Sequence, residues 1–269
     1  MPELPEVETI KRQLNKEVAG KKITGVEVLA EKTLRTPKAQ FLKYTVGAKI
    51  ISVERRAKLL IINLNNGWSI LTHLKMTGQY VYNGEAHQHT RVVFCFGKLK
   101  IMFNDIRRFG YLDLIKTDDL KKFLDKQYGP EPLEKSFTVM KFTEALAKRP
   151  NMKIKQLLLE QKLIAGIGNI YAQEACFMAG VLPTRQSKSL KPTEIKKLFD
   201  SVRKVMTEAI KYGGSSAENY INLYGEKGGF VPHLKVYGRE GLKCKQCGSV
   251  LKFVKLGGRG TVYCETCQK

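Results

Sequence analysis

Near Thr117 the apolar spacing of this 269-residue chain changes period, which restricts it to folds with a β-rich part followed by a helical one. From Ile23 to about Ile115, segments 49–54, 58–64, 68–73, 80–82, 91–96 and 100–103 read as strands separated by turn signals. Asn65-Asn66-Gly67 and Phe96-Gly97-Lys98 supply hairpin turns, because Asn and Gly tolerate positive φ. Short strands joined in this way predict a sandwich or barrel. One amphipathic helix leads into them, with Leu4, Val7, Ile10, Leu14 and Val18 at three- and four-residue steps. Beyond Thr117, helices are expected over 118–127, 138–149, 153–163, 169–179 and 193–212. Gly129-Pro130-Glu131-Pro132 marks an interdomain boundary, and Gly213-Gly214-Ser215-Ser216 opens a glycine-spotted loop running to about Pro232.

Charge narrows the class of partner. The chain carries 47 Lys and Arg against 25 Asp and Glu, a net +22. A field of that sign attracts polyanions, and phosphate neutralisation with counterion release gives salt-sensitive nucleic-acid binding. An anionic membrane surface ranks below it, since no basic amphipathic helix with a bulky apolar face stands out. No apolar run approaches the roughly 20 residues of a membrane span. The charged opening argues against a signal peptide.

Six cysteines fall into two sets. Cys95 and Cys176 lie singly in apolar stretches and read as small buried hydrophobes. Cys244-x2-Cys247 and Cys264-x2-Cys267 have the spacing of a four-thiolate zinc site, with disulfides as the weaker alternative. A metal that clips both ends of a hairpin too small for its own core is structural. Strands are expected over 249–256 and 260–263, with Gly257-Gly258-Arg259-Gly260 as their turn. Arg259 then stands at the tip, either as a phosphate contact or as an ordinary exposed arginine. This cysteine usage suits a reducing cytosol.

Two further segments carry chemistry. Met1-Pro2-Glu3-Leu4-Pro5-Glu6 suits a helix start, with proline early and glutamate in the first turn. Removal of Met1 would instead expose the secondary amine of Pro2, which near pH 7 is partly neutral and able to form a Schiff base. Glu3 and Glu6 are close enough in sequence to move protons for it. In the helical part, Ile164-Ala165-Gly166-Ile167-Gly168 joins two helices and places Asn169 at an N-cap. Free N–H groups there can hold a phosphate, although a plain helical hairpin fits equally well.

Four separated segments converge: Pro2-Glu3-Leu4-Pro5-Glu6, His73-Leu74-Lys75-Met76-Thr77-Gly78, Ala165-Gly166-Ile167-Gly168-Asn169-Ile170-Tyr171-Ala172, and the cysteine tail with Gly258-Arg259-Gly260-Thr261. Together, and in order over essentially the whole chain, they resemble the bacterial formamidopyrimidine-DNA glycosylases. The resemblance implies an α+β multidomain fold. Its parts are an N-terminal β-sandwich with a leading helix over 1–130, a helix–two-turn–helix domain with a lesion-capping loop over 131–240, and a β-hairpin zinc finger over 241–269. It further implies one structural zinc ion held by Cys244, Cys247, Cys264 and Cys267.

The implied activity is a bifunctional glycosylase and abasic-site lyase of base excision repair, acting on double-stranded DNA that contains oxidised purines. In that scheme Pro2 attacks C1′, Glu3 protonates the sugar ring oxygen, Glu6 orders the N-terminus, and β,δ-elimination cuts the strand. Lys58 matches a lysine that contacts a phosphate beside the lesion and aids catalysis. His73, Asn169, Tyr237 and Arg259 match other phosphate contacts. Met76, Arg107 and Phe109 match the residues that fill the gap left by an extruded base, with Arg107 facing an orphaned cytosine. A monomer in the bacterial cytoplasm, associated with the nucleoid and without a membrane partner, is the corresponding expectation. The competing readings are the endonuclease VIII-like branch, which prefers oxidised pyrimidines, and a zinc-clipped DNA-binding protein without catalysis.

Overall fold

The computed structural model describes residues 1–269. By contact the chain forms two compact units, 1–126 with 212–229, and 127–211 with 230–269. The segment 212–229, which the family resemblance places in the helix–two-turn–helix domain, makes its contacts with the N-terminal residues, and the cysteine tail makes its contacts with the helices.

The first unit opens with α1 (Leu4–Val18), whose Leu4, Val7, Ile10, Leu14 and Val18 are all essentially buried. These five positions form one stripe at the 3.6-residue period, so a single face of the helix enters the core. Along the chain follow β1 (Gly25–Val28), α2 (Lys38–Thr45), β2 (Ile50–Arg56), β3 (Leu59–Leu64), β4 (Trp68–His73), β5 (Gly78–Tyr82), β6 (Thr90–Phe96), β7 (Leu99–Asp105), β8 (Tyr111–Lys116) and α3 (Thr117–Gln127). They form two four-stranded antiparallel sheets, in the orders β1-β6-β7-β5 and β2-β3-β4-β8. Val53, Leu60, Ile62, Ile70 and Leu112 from one sheet meet Tyr80, Val92, Phe94, Ile101 and Phe103 from the other, and Val7, Ile10, Leu14 and Val18 of α1 join them in one cluster. This is the expected sandwich with its leading helix.

Three local outcomes differ from the sequence reading. Helix α2 falls within the region read as strands; only Phe41 and Thr45 of it are buried, too few apolar positions to show a helical period. Strands β1 and β8 lie in the strand-rich span from Ile23 to about Ile115 but are not among the segments named within it. Lys58 is not a strand residue but the second residue of the two-residue β2–β3 turn, between the paired Arg56 and Leu59.

The second unit contains α4 (Val139–Ala147), α5 (Ile154–Leu158), α6 (Asn169–Ala179), α7 (Pro192–Lys211), β9 (Lys252–Leu256) and β10 (Arg259–Tyr263). Phe137, Phe142 and Phe199 pack with ring centroids 5.8–6.1 Å apart. Helix α5 stops well short of the expected residue 163. The Gln161 side chain takes over the backbone there: Nε2 donates to the carbonyls of Leu159 and Ile167, and Oε1 accepts from the Gly166 N–H. Gly129 lies against this turn so closely that a Cβ would sit 2.5 Å from the Lys162 carbonyl oxygen, so only glycine fits. Residues 249–251 do not extend β9, because Leu251 bonds to the Leu242 carbonyl and Val250 pairs with Lys243. No helix is long and apolar enough to cross a membrane.

Candidate active site and zinc centre

In the first unit the N-terminus is held rigidly. Pro2 is buried, Glu3 is 2 % exposed and Glu6 is 1 % exposed. Glu3 caps α1 in a reciprocal capping box, with the Glu6 carboxylate accepting from the Glu3 N–H at 2.8 Å. The other Glu6 oxygen accepts from the Ser215 N–H at 2.7 Å. A single buried carboxylate thus ties the start of the chain to the glycine-spotted loop. A Cβ on Gly214 would come within 2.9 Å of the Glu6 carboxylate, and its φ is +89°, so glycine is needed there on both counts. In this chain Met1 precedes Pro2, and its ammonium pairs with Glu218 at 2.9 Å.

The same loop is carried along α1 by acceptors that sequence reading does not single out. Gln13 accepts from the Leu223 N–H and Glu17 from the Tyr224 hydroxyl. With Glu6 they form a polar stripe at steps of seven and four, beside the apolar one. That spacing is visible in the sequence, but nothing there identifies its partner.

Lys58 is 5 % exposed and follows Ala57, whose φ is +54°. The β3–β4 register sets Leu59 opposite His73, which brings the Lys58 turn to the end of β4. His73 Nδ1 accepts from the Lys75 N–H at 3.0 Å, leaving the proton on Nε2. Burial, reinforced by Lys75, Lys58 and Arg35, pushes its pKa down to about 3 from an ordinary 6.5. The neutral ring remains a donor through Nε2–H among cations, an arrangement suited to an anion. Arg35, which the sequence reading passes over, lies 3.2 Å from the centre of the Tyr111 ring, and Lys75 lies 5.8 Å from that centre. The unfolded chain takes up a proton here below about pH 6.5 while the fold resists it to about 3, so this residue lowers stability progressively as pH falls across that window. The ring is expected to show a flat NMR titration from pH 8 to 5; a midpoint near 6.5 would show that burial does not govern it.

Met76 is half-buried, whereas Arg107 and Phe109 are exposed, Phe109 at 56 %. The Arg107 guanidinium carbon lies 5.0 Å from the centre of the Phe109 ring.

In the second unit Asn169 is the first residue of α6 and Gly168 is its N-cap, one residue earlier than expected. Gly168 takes the extended backbone a cap requires, which frees the Asn169 side chain to reach the hairpin: Nδ2 donates to the Gly260 carbonyl at 3.4 Å. Its Oδ1 is buried without a protein partner. Gln173, one turn along, donates to the Gly260 carbonyl and accepts from the Val262 N–H. The fully buried Lys155 reaches Thr261 Oγ1 at 2.9 Å. Tyr237 is placed by Glu174, whose carboxylate accepts the N–H groups of Lys235, Val236 and Tyr237 at 2.8–2.9 Å. Burial raises the Glu174 pKa, and those three donors oppose the rise.

The β9–β10 turn is only Gly257-Gly258, at φ +54° and +75°, a pair suited to a tight hairpin. Arg259 is therefore the first residue of β10, paired with Leu256 and exposed beside the tip. The sulfur atoms of Cys244, Cys247, Cys264 and Cys267 all lie within 4.8 Å of one another. Cys244–Cys267 and Cys247–Cys264 are 3.9 and 3.5 Å apart, too long for disulfides and near the sulfur separation of about 3.8 Å that tetrahedral zinc with 2.3 Å bonds requires. The donor set fits one structural zinc ion.

Comparison with known proteins covers the same parts. The model of the formamidopyrimidine-DNA glycosylase N-terminal domain matches residues 1–112, that of its H2TH domain 128–220, and that of the zinc finger found in FPG and IleRS 241–269. Formamidopyrimidine-DNA glycosylases of Desulfitobacterium hafniense and Listeria monocytogenes are 42 % and 41 % identical, each aligning over the whole of both chains. Among solved structures, Lactococcus lactis Fpg in complex with DNA containing an abasic site has a TM-score of 0.94 at 38 % identity over the full length of both chains. A point mutant of the same Lactococcus lactis protein, in complex with DNA containing Fapy-dG, agrees equally well. The chain belongs to the formamidopyrimidine-DNA glycosylase family, whose members repair DNA by base excision.

Proposed function

We propose that this protein excises oxidised purines, 8-oxoguanine and formamidopyrimidines, from duplex DNA and cleaves the resulting abasic site. The observation that carries the reading is the N-terminus: Pro2 and Glu3 are buried side by side, with the Glu3 N–H held by Glu6. Once Met1 is removed, the Pro2 nitrogen bonds to C1′ as the glycosidic bond breaks, and the base leaves with the electron pair of that bond and takes up the proton that the Pro2 amine loses. The Glu3 carboxylic acid gives its proton to O4′ as the C1′–O4′ bond opens, and an iminium remains. That iminium acidifies the C2′ hydrogen, so β-elimination and then δ-elimination expel the two phosphates.

The remaining residues bind. Lys58 and His73 hold a phosphate beside the lesion, supported by the burial and the neighbouring cations that together keep the His73 ring neutral. Asn169 on α6, Tyr237 in the turn held by Glu174 and Arg259 on β10 contact the backbone. Met76, Arg107 and Phe109 fill the vacated stack, with Arg107 meeting the orphaned base. Cys244, Cys247, Cys264 and Cys267 hold the zinc that shapes the hairpin carrying Arg259. The DNA in the Lactococcus lactis complexes, abasic in one and Fapy-dG in another, supports this substrate class.

Borohydride trapping on a duplex with 8-oxoguanine opposite cytosine tests the reading. Protein confirmed by mass to lack Met1 is expected to give an adduct mapping to Pro2, and protein retaining Met1 to give none. An adduct only with an oxidised pyrimidine would indicate the endonuclease VIII-like preference. No adduct with either would indicate a DNA binder without this chemistry.

A further inference from the structure

Two turns, from elements well apart in sequence, are closed by glycine and joined through one buried carboxylate. The first runs from Leu74 to Gly78, whose N–H donates to the Leu74 carbonyl; a Cβ on Gly78 would sit 2.5 Å from that oxygen. The second runs from Asp105 to Gly110, whose N–H donates to Asp105 Oδ2 at 2.7 Å. A Cβ on Gly110 would meet the Phe103 ring at 2.8 Å. Both turns hold a non-glycine residue in the left-handed region, Lys75 at φ +52° just before Met76 and Arg108 at φ +58° just before Phe109. Such conformations persist only where the surroundings impose them.

The imposing group is Asp105, which is 1 % exposed. Its Oδ1 accepts from Thr77 Oγ1 at 2.5 Å and from the Arg107 N–H at 3.2 Å. Thr77 Oγ1 in turn accepts from the same Arg107 N–H at 2.9 Å. Below this joint, the β5–β7 register pairs Gly78 with Asp105. The two turns therefore cannot shift independently without breaking bonds to a buried carboxylate, which are among the stronger hydrogen bonds in a fold.

We infer that Thr77 and Asp105 are positioning residues that hold Met76, Arg107 and Phe109 at fixed spacing, and so set the choice of the base opposite the lesion. The inference rests on the proposed gap-filling role of those three residues. Neither Thr77 nor Asp105 need touch DNA: Thr77 is 4 % exposed, and its hydroxyl is engaged by the opposite turn.

Thr77→Val keeps the shape of the side chain and removes the hydroxyl. Single-turnover excision of 8-oxoguanine is to be measured opposite cytosine and opposite adenine in wild type, Thr77→Val, Thr77→Ser and Arg107→Ala. The cytosine-over-adenine ratio is expected to fall about tenfold in Thr77→Val, the scale of one lost hydrogen bond to a charged group, and to return in Thr77→Ser. A purely structural role would slow both substrates alike and leave the ratio unchanged, which overturns the inference. An unchanged ratio in Arg107→Ala overturns the gap-filling reading itself, and the inference with it. A lowered ratio in Arg107→Ala beside an unchanged one in Thr77→Val overturns only the inference. If Thr77→Val does not fold, Thr77→Ala is judged by the same ratio.

Discussion

Replacing Glu3 with Gln is expected to slow single-turnover release of the damaged base by about 10²–10⁴-fold, the usual contribution of a positioned general acid. The substitution is mild for the fold. Glu3 caps α1 through a side-chain oxygen, and Gln retains such an oxygen for the Glu6 N–H. What it lacks is the proton to be passed to O4′. An abasic site has already lost its base and can present an aldehyde to the Pro2 amine, so borohydride trapping at a preformed abasic site is expected to survive. The comparison uses rapid-quench excision on one substrate and trapping on the other, with circular dichroism to confirm the helix. Equal loss on both would assign Glu3 to placing Pro2 rather than to proton transfer, and no loss on either would remove it from the chemistry.

Removing zinc is expected to have the larger structural effect, confined to one unit. Apparent zinc-binding energies of about 10–16 kcal/mol for finger peptides equal or exceed the whole stability of a typical domain, about 5–15 kcal/mol. Cys244 and Cys264 also belong to a small apolar cluster with Phe177, Val236, Leu251 and Val262. Chelation should therefore loosen more than the hairpin: the Glu174 contacts to residues 235–237 and the Gln173 contacts to β10 should exchange amide hydrogens faster. Trp68, the single tryptophan, lies in β4 of the other unit and stacks on Tyr44 at 4.3 Å. Its fluorescence should stay constant while DNA affinity falls and the log–log salt slope loses about one phosphate from Arg259. A shift in Trp68 emission on chelation would mean that the zinc site supports the β-sandwich as well.

Sequence spacing makes much of this legible, and it does so where structure is local. The α1 stripe, the limits of β4 and α6, and the glycine turns after β3 and β6 all depend on residues within a few positions of one another. The cysteine pairs are legible for a related reason, because a metal needs particular ligand types at particular intervals. Reading fails where a side chain takes over backbone bonds. Past the end of α5, the Gln161 amide bonds the Leu159 and Ile167 carbonyls and the Gly166 N–H, fixing a turn where helical spacing runs on. Helix α2 buries too little to leave a period.

The candidate site divides in the same way. Residue types and spacing, read together with the family resemblance, single out Pro2, Glu3, Lys58, His73, Asn169 and Arg259. Only tertiary structure shows that Glu6 reaches Ser215 across 209 positions. Only tertiary structure shows that burial, reinforced by Lys75, Lys58 and Arg35, holds His73 neutral, and that Asp105 joins two turns 28 positions apart through Thr77. Periodicity records which face of an element leaves water, and motif spacing records what a ligand requires. Electrostatic environment and long-range hydrogen bonds depend on which elements meet, so they exist only once the sheets have closed and the loop has returned along α1.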